Sequence, residues 1–268
     1  MNVLPIEKQA SVVGALVEGT SIRATARQVD VDRETVMYLG VDAGEACASL
    51  HNTLVRDLNV AELELDELWA FVGKKQKRVE EDDDPLTVGD QYTYLGIDRN
   101  RKLIVSFVTG KRDDPATQEF VLDLRARILN RPQVTTDGFI PYVEAIELAF
   151  GSAVDYAQLI KDYESDPGAR KAQHRYSPGK ITSIEKRTIM GQPDADRICT
   201  SHAERLNLTV RMSQRRFTRL TNAFSKKLRN HRASVALFVA HYNFCRVHET
   251  LRMTPAMACG LTDHIWSI

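Results

Sequence analysis

Between Arg205 and His248 the chain has no aspartate and no glutamate. Ten residues of that stretch are Lys or Arg, so it carries +10 with histidine counted as neutral. Over the whole chain 36 basic residues meet 36 acidic ones, for a net charge of zero. Zero net charge alone argues against a nucleic-acid partner. Segregated charge argues the other way, because it can still present a strongly basic face. Other things are missing as well. No apolar run approaches the roughly 20 residues of a membrane span. The opening "MNVLPIEKQA" is too short and polar for a secretory signal. The four cysteines, Cys47, Cys199, Cys245 and Cys259, form no C-x-x-C pair. Reduced thiols in a cytoplasmic protein are expected, and a zinc site is not. No internal repeat is visible.

What is present is an ordinary globular mix, 43% hydrophobic and 27% charged over 268 residues, enough for one full-sized domain and a small one. Residues 1 to about 57 read as helical. "IEKQASVVGALVEGT" spaces its apolar residues for a helix that ends at Gly19. "SIRATARQVDVDRETVMYLG" reads as two short helices, capped by Ser21 and Asp32, with a turn at Val29 to Asp32. Helix, short turn, helix is a DNA-binding pattern whose second helix, here about Arg33 to Leu39, enters the major groove. The same spacing also suits a plain three-helix packing unit.

From Val60 the period changes to alternation in "NVAELELDELWAFV", "QYTYLGID" and "KLIVSFVTG". "DRNR" (Asp98 to Arg101) is a hairpin turn between the last two. "DDPATQEFVLDLRARIL" is a helix with Asp114 as cap and Pro115 first. A short strand "PQVTTDG", a helix "PYVEAIELAF" and a strand "VDYAQLIK" follow. The order β-β-β-α-β-α-β predicts an α/β fold with C-terminal helices. Glu80 to Asp84 is a solvated tip, and Glu164 to Gln192 reads as a mobile, loop-rich insert.

Three acids stand where structure alone does not ask for them. Asp66 interrupts a strand; by alternation Glu62, Glu64 and Asp66 share one face and Leu63, Leu65 and Glu67 the other. Asp137 ends a strand before Gly138. Glu204 opens a helix in "SHAERLN". The separations are 137 − 66 = 71 and 204 − 137 = 67 residues. Hard oxygen ligands converging at one sheet edge suit Mg²⁺ and phosphodiester chemistry. Each acid also has a plain reading: an edge-strand residue, a turn residue and a first-turn helix acid. On a helix from Ser201, Glu204, Asn207, Arg211 and Arg215 fall on one face, with Leu206, Val210 and Phe217 opposite. A carboxylate for metal at the head of arginines for flanking phosphates would explain the lone acid in its basic field. A solvated basic face is the alternative. His202 reads as a satisfied structural histidine, and Trp69 and Phe71 as core rather than base-stacking residues.

"DELWAFVGKK", "TTDGFIPYVEA" and "SHAERLNLTVRMSQRRFTRLTNAFSKK" resemble the transposases of small bacterial insertion sequences, of the insertion-sequence-one type. "TSIRATARQVDVDRETV" resembles the helix-turn-helix of the same family, and the resemblance runs from about Glu18 to Trp266. It implies a DDE catalytic domain of ribonuclease H-like fold, with a mixed sheet in the order β-β-β-α-β-α-β-α. It implies a helix-turn-helix domain over 1–57 and a catalytic domain over 58–268 with an insert at about 161–199. Asp66, Asp137 and Glu204 would be both the catalytic residues and the ligands of two Mg²⁺ (or Mn²⁺) ions. Arg33, Arg211, Arg215, Arg216, Arg219, Lys226 and Lys227 would contact DNA. The partners implied are element ends, target DNA and further copies of the chain in the active complex, at the bacterial nucleoid. Family members with two reading frames carry a zinc ribbon ahead of the helix-turn-helix, and no cysteine precedes Cys47 here. Two other functions compete: a metal-dependent nuclease without strand transfer, and an inactive DNA-binding regulator.

Overall fold

The computed structural model describes residues 4–163, 180–218 and 222–268. Three helices open the chain: α1 (Ile6–Val17), α2 (Ile22–Val29) and α3 (Arg33–Leu54). Ser21 Oγ accepts from the Ala24 amide at 3.2 Å and Asp32 Oδ1 from the Glu34 amide at 2.7 Å, as their cap positions require. Between α2 and α3 the chain turns through Asp30, at φ 55°. Val12, Ala26 and Val36 are the buried centre of this small unit.

The expected short helix Arg33–Leu39 is in fact 22 residues long. Gly40 and Gly44, inside it, serve close packing. A Cβ on Gly44 would stand 2.2 Å from the Ala233 carbonyl oxygen, and one on Gly40 would stand 2.9 Å from Leu16 Cδ1. The second half of α3 therefore lies directly on α7 (Leu228–Ala240), and Val41, Gly44 and His51 are buried there. α3 thus packs on α1 and α2 with one part and on α7 with another.

The sheet has six strands, ordered β3-β2-β1-β4-β5-β6. They are β1 (Glu62–Val72), β2 (Gly89–Asp98), β3 (Ile104–Gly110), β4 (Gln133–Thr136), β5 (Asp155–Tyr163) and β6 (Ile181–Met190). β1, β2 and β3 are antiparallel neighbours, while β4 runs parallel to β1 and β5 parallel to β4. The parallel crossovers are made by α4 (Asp114–Arg127) and α5 (Pro141–Phe150). The α4 cap is Asp113, whose Oδ1 accepts from the Ala116 amide at 3.1 Å, one residue earlier than expected. Leu63 and Leu65 point into the core shared with α4 and α5, around Phe120 and Tyr142. Leu68 and Ala70 point to the other face, against α6 (Ser201–Ser213) and α7.

The segment expected to be a loop contributes β6, which pairs antiparallel with β5 from Tyr156↔Met190 to Tyr163↔Ile181. Its alternation was masked because β6 is exposed along most of its length, leaving no apolar face to reveal the period. The acidic tip between β1 and β2 is solvated as expected, with Lys74 Nζ on Glu80 at 2.6 Å and Asp83 at 2.8 Å. Among the described residues no helix is long and apolar enough to cross a membrane.

Candidate active site

Asp66 and Asp137 meet because of strand register. In the parallel β1–β4 ladder Glu62 pairs with Gln133 and Glu64 with Thr135, an offset of 133 − 62 = 71. The same offset, carried one step past the end of β4, sets Asp137 beside Asp66. The 71-residue separation in sequence is this register. Parallel strands end at one edge of the sheet, and loops leaving that edge commonly carry ligand-binding groups.

The two carboxylates gather with a third, Glu67. One oxygen from each of Asp66, Glu67 and Asp137 lies within 4.8 Å of the others. By alternation Glu67 belongs to the opposite face of β1, yet one of its oxygens lies in the same group, at the level where β4 ends. Asp66 Oδ1 accepts from the Glu67 amide at 2.8 Å. Asp137 Oδ1 accepts from the Phe139 amide at 2.9 Å, an Asx turn that holds the carboxylate at the rim. Burial, with Glu67 and then Asp137 and Glu204 as like charges nearby, pushes the Asp66 carboxyl up to about 7. Burial also raises Glu67.

Arg112, just after β3, brings a guanidinium to this group. It lies 3.1 Å from Glu67 Oε2 and 4.0 Å from Asp137 Oδ2. Its plane rests 4.0 Å above the Phe139 ring, with Tyr92 at 5.8 Å. Neither Arg112 nor Glu67 was singled out from the sequence. The only signals were a basic residue at a strand exit and a second acid in "DEL".

Glu204 reaches the cleft on α6, and α6 is seated by β1. Glu64 Oε2 accepts from the amides of His202 (2.8 Å) and Ala203 (3.0 Å), and its Oε1 lies 2.9 Å from His202 Nδ1. A strand carboxylate thus caps the helix that Thr200 leaves uncapped. Two residues along β1 and one helical turn past Glu204, Asn207 Nδ2 donates to Asp66 Oδ2 at 2.7 Å. Glu204 therefore stands on the face of α6 turned to Asp66, but it does not join the tight three-carboxylate group. Its Oε1 accepts from Thr200 Oγ1 at 2.9 Å and pairs with Lys161 Nζ of β5. His202 is structural, as the sequence suggested. Cys199, His202 and Glu64 also gather, although Glu64 already caps α6.

The group of oxygens fits a hard divalent cation on two grounds. The donors are carboxylates. In addition, Asn207, whose Nδ2 holds Asp66, has its Oδ1 buried without a hydrogen-bond partner, an acceptor that a cation's bound water would satisfy.

The basic residues divide. Arg33 at the start of α3 is exposed, as are Arg215, Lys226 and Lys227. Arg211 lies partly buried in the last turn of α6. Arg215 falls in a 3-10 turn after α6 has ended at Ser213, so it does not continue the helix face of Glu204. Arg216 turns inward. Its Nη1 donates inward to Ser225 Oγ at 2.9 Å and to the Asn230 carbonyl at 3.4 Å, and burial lowers its pKa. Arg219 lies outside the described residues. Arg229 pairs with Glu45 of α3 at 2.6 Å, and Arg232 donates to the Thr109 carbonyl at 2.9 Å. The acid-free stretch is thus partly neutralised or used inside the fold.

No known family model matches the chain, and no curated protein sequence does. Among solved structures it is similar to the Mos1 transposase paired-end complex with left transposon end, at 14% identity and a TM-score of 0.24. That likeness covers 58% of this chain, which spans 60% of the length of the other.

Proposed function

We propose that this chain is a DDE-type transposase with a ribonuclease H-like catalytic core. Asp66, Asp137 and Glu204 would be its metal-binding acids, and DNA its substrate. The observation that carries the reading is the register of Asp66 and Asp137 on adjacent parallel strands, with Asn207 tying α6, and so Glu204, to Asp66. The sheet order β3-β2-β1-β4-β5, with three antiparallel strands and then two parallel ones, is compatible with that core. Two Mg²⁺ or Mn²⁺ ions held there would supply Lewis-acid charge stabilisation and an activated hydroxyl nucleophile. The chain's own contribution is positional. Asp66 is held by an amide and by Asn207, Asp137 by its turn, and Glu204 by a helix whose first amides bond Glu64. Arg33 and its neighbours on α2 and α3 would read element ends, while Arg211, Arg215, Lys226 and Lys227 would hold backbone phosphates.

The test is a cleavage and joining assay on duplexes carrying the element's terminal inverted repeats, with Mg²⁺ and several copies of the chain allowed to assemble. Glu204→Gln and Asp137→Asn should each reduce both steps by orders of magnitude while DNA binding persists. Near-normal joining by Glu204→Gln, with loss in Glu67→Gln, would transfer the third ligand role to Glu67. Cleavage without joining would favour a plain nuclease.

A further inference from the structure

Lys161 is the one lysine paired with a candidate metal-binding acid of this cleft among the described residues. Its position follows from the sheet. The parallel β4–β5 ladder ends with Thr136 beside Gln158, so Asp137 falls level with Leu159. Two residues on, on the same side of β5, stands Lys161, one step past the acids along the strand. Its side chain is 17% exposed, whereas that of its partner Glu204 is 50% exposed. Water reaches the pair from the Glu204 side, which weakens it as a tether.

Arg112 makes the contrast. Its own side chain is 39% exposed, but it rests on the Phe139 ring and pairs with Glu67, whose side chain is only 3% exposed, so two contacts hold it. Lys161 has a flexible four-carbon stem and a partner at the rim, so its ammonium can leave.

We infer that Lys161 is a phosphate-binding residue held in reserve by Glu204. It neutralises Glu204 in the metal-free protein and passes to a DNA backbone phosphate next to the scissile one when Glu204 takes a cation. The inference rests on the function proposed above. Once a divalent cation competes for Glu204, the ammonium loses its counter-ion in a partly dry cleft. A phosphate oxygen is then the anion within reach in a DNA complex. Metal and DNA thereby favour each other's binding through one side chain.

The experiment uses the full chain, a short labelled duplex, and Ca²⁺ in place of Mg²⁺ so that binding is read without turnover. Mn²⁺ binding without DNA is followed by electron paramagnetic resonance. Lys161→Met should bind Mn²⁺ more tightly than wild type, because Glu204 is released. Without metal it should bind DNA no better than wild type, because Glu204 is left uncompensated. With Ca²⁺ it should lose roughly tenfold in DNA affinity, with a salt dependence lower by about one phosphate contact. Lys161→Arg should keep most of the affinity. Glu204→Gln should raise metal-free DNA affinity by freeing Lys161, and Lys161→Met in the same chain should cancel that gain. A gain that survives in the double variant reports only a lost repulsion and overturns the inference. So does Ca²⁺-stimulated DNA binding that Lys161→Met leaves intact. If wild type binds no Mn²⁺, or if Asp137→Asn does not weaken its binding, the metal reading of the cleft falls as well.

Discussion

Asn207 Nδ2 donates to Asp66 Oδ2 at 2.7 Å, joining positions 141 residues apart. The bond fixes the phase of α6 against β1. It also leaves Asn207 Oδ1 buried and unpartnered. Asn207→Ala should lower stability by about 1–2 kcal/mol in urea unfolding. It should reduce cleavage more than DNA binding, because Asp66 and Glu204 lose their common anchor. Asn207→Leu of equal activity would show that the bond does not position the site.

The pH dependence of the metal-free protein follows from Asp66. Its carboxyl is raised from an ordinary 3.8 to about 7 by burial and like charge. A group raised on folding stabilises fully below its unfolded pKa and ceases to do so as pH rises through its folded pKa. Metal-free stability should therefore fall by about 1.4 kcal/mol per pH unit between roughly pH 4 and 7 from this group. Urea titrations of wild type and Asp66→Asn at several pH values check it: the substitution should remove that slope. Metal affinity should rise over the same window, as proton and cation compete for one carboxylate.

Two glycines test the junction of α3 with α7. Gly44→Ala would drive a methyl into the Ala233 backbone, so thermal unfolding should report a loss of about 1–3 kcal/mol. Gly14, in α1, has nothing within 4 Å of an added Cβ. Gly14→Ala should be neutral or stabilise by up to about 1 kcal/mol.

Removing residues 1–57 to test end recognition would strip away the half of α3 that packs on α7, so point substitutions serve better. Arg33→Ala is exposed and should leave the melting temperature unchanged while weakening preference for element ends over random duplex. Arg216→Ala should do the reverse, lowering stability through its lost bonds to Ser225 and Asn230 with no selective effect on DNA. A competition binding assay beside a thermal melt separates the two.

Local chemistry was legible along the chain. The caps at Ser21 and Asp32, the turn at Asp98, the helix Pro141–Phe150 and the alternation of β1 depend on neighbours in sequence, and the residue types declare them. Asp66 and Asp137 could be singled out for the same reason: an acid in a strand and an acid before glycine break a local pattern. Three features depended on partners far away in sequence. The helix from Arg33 was expected to end near Leu39, and its extension to Leu54 goes with packing on α7, where Ala233 meets Gly44. β6 has no buried face, so only pairing with β5 defines it. Arg216 looked like the other arginines until packing turned it inward. The composition of the cleft is of this kind too. That Glu67 joins Asp66, that Asn207 holds it, and that Lys161 pairs with Glu204 are consequences of strand register and helix phase. Local sequence reports the preferences of a residue and its neighbours, whereas register and phase emerge only when all the buried faces are satisfied together.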